Sequence, residues 1–174
     1  MTASAQSLLA PKLIVADAGP LIALAVGGVL TLGIDMMGGL MVPEAVLDEC
    51  TSDISAPGAA ILLQLHNAQR FQTIPSASLM PLDASFAQGM GGGEIAVLSY
   101  AAQHGLLALI DERRARRAAD RLGISVIGSG TVLAQLKRQG FIDSVKPVLS
   151  AWRQHRYFIC ESVLADILRL ANEP

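Results

Sequence analysis

The sequence predicts a three-layer protein of the α/β class, in which a central, mainly parallel sheet of about five strands has helices on both faces. Short apolar runs alternate along the chain with longer segments whose apolar residues recur at helical spacing. This strand–helix alternation is typical of a parallel sheet that is covered on both sides. The chain has 174 residues, of which 52% are hydrophobic and 16% charged, and this composition favours one domain with a sizeable core.

Each element is placed by a local pattern. Strands are expected at five apolar runs: residues 12–17, 40–42, 71–74, 106–110 and 124–127. Pro43 suits the first turn of a helix, Gly105 a helix end, and Ser129 an N-cap. The helices are expected from Gly19-Pro20 onward, at 29–37, after Pro43, and at 57–69, 94–104, 112–122, 130–139, 143–154 and 161–171. Residues 75–93 are expected to form a mobile loop with about one helical turn.

Three features of the sequence bear on where in the cell the protein is expected. Residues 18–34 carry no charge and approach transmembrane length, but internal glycines and a proline favour two short buried helices. Residues 1–11 lack the basic start of a signal peptide and are expected to be a flexible tail ahead of a domain at 12–174. Cys50 and Cys160 have no metal-ligand or redox spacing, which predicts buried thiols in a reducing cytoplasm.

The charges are unevenly distributed along the chain. Residues 1–112 carry ten acidic and two basic side chains, whereas residues 113–174 carry five acidic and eleven basic ones. An acidic half followed by a basic half suggests a cation site and an anion-binding surface on one molecule. The alternative, in which folding mixes the charges over the whole surface, stays open.

Three acidic residues are directed to one edge of the predicted sheet. Asp17 follows the first strand and Asp111 follows the fourth, so parallel strands bring both to the carboxyl edge, where sites form in such sheets. Glu94 begins a helix whose N-terminus lies at the same edge. The glycines of the preceding stretch, GMGGG, are expected to let the chain turn sharply and bring that helix close.

Each acid also has a structural interpretation. Asp17, Glu94, and either Asp111 or Glu112 could stabilise helix N-termini without any further role. Glu49 lies about 9 Å along its helix from Pro43 and could face inward or be solvated. Because converging carboxylates repel one another, a bound divalent cation is the usual remedy, and hard oxygen ligands suit Mg²⁺ or Mn²⁺. Such a site matches metal-assisted phosphodiester hydrolysis.

A cluster of arginines follows Asp111 immediately. Five of the ten arginines lie between residues 113 and 121. Arginine binds phosphate bidentately, and basic stripes supply much of nucleic-acid affinity. Arg113 and Arg117, near the predicted edge, are the candidates for phosphate binding. Arg114 and Arg121 are interpreted instead as a solvated face paired with Asp120.

Four blocks together resemble PIN-domain proteins, in particular a VapC-like, toxin-related group. In chain order they are VADAGPLIALAVGGVLTL, MVPEAVLDEC, GGGEIAVLSYA and LLALIDERRARRAADRLGISVIGSGTVLAQLKRQG. The resemblance covers roughly residues 12–168. It implies a compact α/β/α fold, an acidic Mg²⁺ or Mn²⁺ site, and RNA cleavage as the toxin of a toxin–antitoxin pair. The acidic positions that it carries over are Asp17, Glu49, Glu94 and Asp111.

The resulting hypothesis is a cytoplasmic, metal-dependent endoribonuclease. Asp17, Glu94 and Asp111 would bind the metal, and Glu49 with Glu112 would complete the site; whether Asp111 or Glu112 faces the metal stays open. The expected partners are an RNA substrate, an antitoxin protein and a second copy of the chain, without a membrane. The alternative is a catalytically silent PIN-like module that binds RNA or protein. A nucleotide-binding α/β protein ranks last, because both glycine-rich phosphate motifs are missing.

Overall fold

The sheet has five strands and all of them are parallel. The structure is a computed structural model that describes residues 13–157 and 160–173, so the predicted tail at 1–11 lies outside the described residues. The strand order is β3-β2-β1-β4-β5. The strands are β1 Ile14–Ala16, β2 Leu40–Pro43, β3 Gln72–Ile74, β4 Leu107–Leu109 and β5 Val126–Ile127. Ile14 pairs with Leu40 on one side and with Leu107 on the other, which makes β1 the central strand.

Helices connect the strands and follow the last one. They are α1 Ala18–Val26, α2 Leu30–Met37, α3 Glu44–Thr51, α4 Ala59–Asn67, α5 Ala84–Ala87, α6 Gly92–His104, α7 Arg113–Arg121, α8 Ser129–Arg138, α9 Lys146–Gln154 and α10 Glu161–Leu170. Helix α1 packs against α2, α3, α4, α8 and α9, while α6 packs against α7. The predicted three-layer α/β/α architecture is therefore confirmed.

The uncharged stretch at residues 18–34 forms two helices, as predicted. Helix α1 ends at Val26, and α2 begins at Leu30 after a turn in which Gly28 has a φ of 72°. Within the part of the chain that the structure describes, no helix is both long and apolar enough to cross a membrane.

The C-terminal helices are anchored on the centre of the molecule. Trp152 on α9 is 1% exposed, and its indole N–H donates a hydrogen bond of 2.6 Å to the carbonyl oxygen of Ala23 on α1. The ring of Tyr157 packs against Trp152, with 5.6 Å between the ring centroids. This anchoring brings Tyr157, just beyond α9, towards the carboxyl edge of the sheet.

Two capping predictions were wrong. Ser129 is not the N-cap of α8, because the helix begins at Ser129 itself and Gly128 precedes it. The backbone N–H of Ser129 instead donates to the carboxylate of Asp111, a residue far away in sequence. Pro43 ends β2 and stands just before α3 instead of within its first turn.

The prediction of two buried thiols was correct only for Cys50. Cys160 is exposed: it is the N-cap residue of α10, and its sulfur lies 3.1 Å from the Ser162 hydroxyl. Burial, together with the charges of Glu49 and Asp17, raises the pKa of the Cys50 thiol to about 12.

Residues 75–91 contain α5 and a single 3-10 turn at Ser76–Ser78. Two arginines of α7 attach this segment to the domain. Arg114 donates to the carbonyl oxygen of Gly89, and the guanidinium of Arg121 lies 4.7 Å from the ring centroid of Phe86. The predicted pairing of Arg114 and Arg121 with Asp120 is wrong, since both side chains turn towards this segment.

Candidate active site

Asp17 and Asp111 lie at the same edge of the sheet, at the ends of neighbouring strands. Ala16, the last residue of β1, pairs with Leu109, the last residue of β4. The backbone N–H of Asp17 donates to the carbonyl oxygen of Leu109 over 3.0 Å, so the pairing continues to the acid itself. The alternation of strands and helices thus places these two carboxylates as parallel topology requires.

Asp17 is the buried member of the acidic group, with 6% of its surface exposed. Burial raises its pKa from 3.8 to about 6. The value of about 6 is the net result of this burial, of the N–H of Ala18, which lowers the pKa, and of the charges of Glu94, Glu49 and Asp111, which raise it. Asp17 occupies the N-cap position of α1 without a side-chain capping hydrogen bond, and its contact with the helix start is the interaction with the N–H of Ala18.

Glu49 faces the same edge, and Gly93 makes room for it. A Cβ atom built on Gly93 would lie 3.0 Å from Oε2 of Glu49, 3.1 Å from Cγ2 of Val46 and 3.7 Å from Oδ1 of Asp17. The backbone of α6 therefore passes directly beside α3 and Asp17. Of the two orientations left open by the sequence, Glu49 adopts the one that directs its carboxylate towards Asp17.

Glu94 has both a structural and an electrostatic role. Its Oε2 accepts a hydrogen bond of 2.8 Å from the N–H of Gly91, which is half of a capping box; the other half is impossible because glycine has no side chain. Among the three carboxylates that raise the pKa of Asp17, Glu94 has the largest effect. Helix α6 begins at Gly92, two residues earlier than predicted, because Gly91 occupies the cap.

Asp111 and Glu112 point to different partners. Oδ1 of Asp111 accepts from the N–H of Ser129, and Oδ2 accepts from the hydroxyl of Tyr157, both over 2.8 Å. Glu112 is exposed and is the N-cap of α7, where its Oε2 accepts from the N–H of Ala115 over 2.9 Å. Only Asp111 of this pair contributes to the raised pKa of Asp17. The structure thus brings together Asp17, Glu49, Glu94 and Asp111 and directs Glu112 elsewhere.

Asp17 and the three carboxylates that act on its pKa carry only hard oxygen donors, the class of ligand that suits Mg²⁺ or Mn²⁺. Burial is the largest cause of the raised pKa of Asp17, the three neighbouring carboxylates add to it, and a bound cation would favour the charged form. Among residues 13–157 and 160–173, no three His, Cys, Asp or Glu side chains are arranged so as to hold a metal ion. Glu94 and Asp111 are instead hydrogen-bonded to protein groups, although each carboxylate keeps further lone pairs.

Tyr157 belongs to this site although no sequence pattern indicates it. Burial, followed by the charge and the hydrogen bond of Asp111, raises the pKa of Tyr157 far above its ordinary value, so its hydroxyl is a neutral donor. A Cβ atom on Gly19 would lie 3.8 Å from that hydroxyl oxygen. The hydrogen bond to Asp111 spans 46 residues of sequence, and this separation is why local spacing could not predict it.

Two arginines of α7 are available for a ligand. The side chains of Arg113 and Arg117 are exposed and form no hydrogen bond or ion pair with any other residue that the structure describes, although the charge of Arg113 lowers the pKa of Cys160. Arg116 differs, because its guanidinium donates to the carbonyl oxygen of Ile110 over 2.7 Å. The two residues that the sequence suggested for phosphate binding are therefore the α7 arginines whose guanidinium groups make no hydrogen bond to a described residue.

Two cavities lie at opposite edges of the sheet. One, of about 430 Å³, adjoins the acids and includes Asp111, Arg113 and Tyr157 in its lining. The other, of about 250 Å³, is mostly apolar and lies near Leu107 and Ser125, at the amino ends of β4 and β5. Only the first is contiguous with the acidic group.

Comparison with known protein families agrees with this geometry. A protein-family model described as a PIN domain matches residues 13–173, which include every element from β1 to α10 and all four converging acids. No curated protein sequence matches the chain significantly.

Proposed function

The chain belongs to the PIN-domain family, whose members are commonly nucleases, and we propose that it is a metal-dependent endoribonuclease that hydrolyses RNA phosphodiester bonds. The observation that carries the proposal is the grouping of Glu49, Glu94 and Asp111 around the buried carboxylate of Asp17, whose pKa is raised to about 6. A site built only from carboxylates provides strong ligands for Mg²⁺ or Mn²⁺ and no histidine or cysteine ligands for softer metals.

Each residue has a defined task in this proposal. Asp17, Glu94 and Asp111 would hold Mg²⁺ or Mn²⁺, with Glu49 completing the set; Glu112 is left to cap α7. The cation, when bound, lowers the pKa of the attacking water and stabilises charge on the phosphate oxygens. Ser129 and Tyr157 hold both oxygens of Asp111, which restricts the orientation of that carboxylate. Arg113 and Arg117 would hold RNA phosphates.

We extend the proposal to the role of toxin in a cytoplasmic toxin–antitoxin pair. The support is the resemblance of four sequence blocks to a VapC-like group, together with exposed apolar side chains such as Ile54, Met80 and Phe141 that a partner helix or a second copy would cover. Expression of the chain alone should arrest bacterial growth, and Asp17→Asn should abolish the arrest. Normal growth of cells that accumulate the folded protein would argue against a toxin.

The ribonuclease is tested by incubating the full chain with RNA in Mn²⁺, with and without EDTA. Cleavage should require the metal and should fall by at least about 100-fold in Asp17→Asn, since loss of a well-placed charged group typically costs about 3 kcal/mol or more. Glu49→Gln and Asp48→Asn form a matched pair on α3, because both residues are exposed acids but only Glu49 faces Asp17. Glu49→Gln should lose activity and Asp48→Asn should retain it. Cleavage that survives EDTA or Asp17→Asn would refute the mechanism.

A catalytically silent PIN-like binding module is the second candidate. It is favoured by one observation: Glu94 and Asp111 already accept hydrogen bonds from Gly91, Ser129 and Tyr157 instead of facing an open metal site. Calorimetric titration with Mn²⁺ separates the two functions. Metal uptake that disappears in Asp17→Asn supports the nuclease, whereas absence of uptake by the unmodified protein supports the silent module.

A further inference from the structure

The cavity of about 250 Å³ at the amino edge of the sheet, here termed the amino-edge cavity, has no role in the proposed nuclease. It lies between the C-terminal ends of α2 and α6, the start of β4, the segment from α7 to β5, and one face of α8. Among the described residues, none of the converging acids lines it. The cavity is thus separate from the candidate active site, and its own lining determines what it can bind.

The walls of the amino-edge cavity are mainly apolar. The partly buried side chains of Met36, Leu106 and Leu122 pack against the core there, and the buried Val132 lies on the α8 side. Protein interiors contain few voids larger than a water molecule, because groups that face a void lose their dispersion contacts. An apolar molecule in the cavity would therefore gain contacts with these walls, and the flexible side chain of Met36 can adapt to its outline.

Two glycines lie at the opening of the cavity. Gly105 and Gly123 are exposed residues of the lining, and their φ values are 64° and 71°. They stand just beyond the ends of α6 and α7, where the left-handed conformation that glycine favours turns the chain away from the helix. A Cβ atom on either residue would meet nothing within 4 Å. The opening is therefore free of side chains at these two positions, and a small molecule can enter from solvent.

Three polar side chains of the lining are available to a ligand. The hydroxyl groups of Ser125 and Thr131 and the amide of Gln135 form no hydrogen bond with any residue in the described part of the chain. Ser125 and Thr131 are exposed to water, whereas Gln135 is half-buried. An N–H or O–H group of a ligand would gain most from the amide oxygen of Gln135, since a half-buried acceptor is only partly hydrated.

Charge and volume restrict the ligand further. No Asp, Glu, Lys or Arg stands in the lining among the described residues, so a charged ligand would lose hydration without gaining an ion partner. An engineered apolar cavity of about 150 Å³ in another protein binds benzene. The amino-edge cavity, at about 250 Å³, has room for a second ring but is smaller than the roughly 300–1,000 Å³ of sites for larger ligands.

We propose that the amino-edge cavity binds a small, uncharged, mainly apolar molecule of the size of two fused rings, whose N–H or O–H group donates a hydrogen bond to Gln135. The proposal does not depend on the nuclease, since the cavity shares no residue with the acidic group. Indole has this size, carries no charge and has one N–H group, so it is the probe. It should bind with a Kd of about 1 mM or tighter in calorimetry and should raise the melting temperature of the protein.

Matched compounds test the charge and the hydrogen bond of the ligand. Indole-3-carboxylate has the shape of indole-3-carboxamide but is negatively charged, and it should bind at least about tenfold more weakly than the amide. Gln135→Leu should weaken indole binding at least about threefold, because one neutral hydrogen bond is lost. The affinity of the same variant for indene, which has the two rings without the N–H, should not fall. Equal binding of amide and carboxylate, or unchanged indole affinity in Gln135→Leu, would overturn the proposal.

Two substitutions on α8 locate the binding site. Thr131→Trp places a two-ring side chain at the cavity and should abolish indole binding, whereas Arg138→Trp, at an exposed position of the same helix outside the lining, should retain it. Circular dichroism spectra establish that each variant is folded, and the comparison with Gln135→Leu decides the matter if Thr131→Trp does not fold. Absence of indole binding by the unmodified protein, or equal binding by folded Thr131→Trp and Arg138→Trp, would reject the site and leave the proposed ribonuclease intact.

Discussion

Alanine substitution of two adjacent glycines tests how closely α6 approaches the acidic group. Gly92 and Gly93 occupy the first turn of α6, and neither has a positive φ. A Cβ atom on Gly92 meets nothing within 4 Å, whereas a Cβ atom on Gly93 would lie 3.1 Å from the buried Val46 and 3.0 Å from Glu49. The two substitutions therefore change the backbone in the same way and differ only in packing.

The expected free energies follow from that difference. Replacing glycine by alanine within a helix typically stabilises it by roughly 0.5–1 kcal/mol. At Gly92, the first residue of α6, part of this gain is expected and no packing cost opposes it. At Gly93 the new methyl group must displace Val46, which is fully buried, and overpacking of this kind typically costs about 1–3 kcal/mol. Gly93→Ala should therefore be less stable than Gly92→Ala by about 1–3 kcal/mol.

Urea denaturation measures this difference, and thermal denaturation should show it as about 2–4 °C for each kcal/mol in a protein of this size. Gly93→Ala should also weaken Mn²⁺ binding, because the methyl group displaces the carboxylate of Glu49 beside it. Equal stability of the two variants would refute the close packing of α6 against α3. Full Mn²⁺ affinity in Gly93→Ala would show that Glu49 is not held beside Asp17.

Three further predictions concern hydrogen bonds and pH. Tyr157→Phe should weaken Mn²⁺ binding, measured by calorimetry, by about 10-fold or more, because a hydrogen bond to a charged group is typically worth about 1.5–3 kcal/mol. Unchanged affinity would mean that Tyr157 does not position Asp111. The folded-state pKa of Asp17 is raised to about 6, so folding binds a proton between pH 4 and 6 and this group stabilises the fold less as pH rises. In EDTA at pH 7.5, Asp17→Asn should thus be more stable to urea than the native protein by up to about 3 kcal/mol, and this difference in stability should vanish near pH 4. A difference that does not change with pH would contradict the burial of the charge. Hydrogen bonds from Lys137 and other donors outweigh the burial of Glu173 and lower its pKa to about 2. The ionised Glu173 therefore stabilises the fold above about pH 4.5, and this stabilisation is lost as pH falls towards 2. Glu173→Gln should lower the free energy of unfolding, measured with urea at pH 7, by about 2–4 kcal/mol, and a smaller loss at pH 7 than at pH 3 would contradict this.

Local patterns were sufficient to predict most of the fold. The alternation of apolar runs and helical segments identified all five strands and the parallel arrangement, because parallel neighbours require long crossover connections, which are usually helical. Glycines within residues 18–34 indicated two helices in place of one span. The capping of α8 was mispredicted, because the acceptor for the Ser129 N–H is Asp111, eighteen residues earlier, and not a neighbouring side chain.

The sequence by itself determined which edge of the sheet carries Asp17, Asp111 and the N-terminus of α6. Parallel topology directs every strand end and every returning helix start to that edge, so the order of elements is enough. Only the tertiary structure decided that Glu49 turns inward, that Asp111 and not Glu112 joins the acidic group, and that Tyr157 completes it. The positions of these side chains depend on how each helix is rotated about its own axis and on hydrogen bonds between residues far apart in sequence. Local spacing specifies neither.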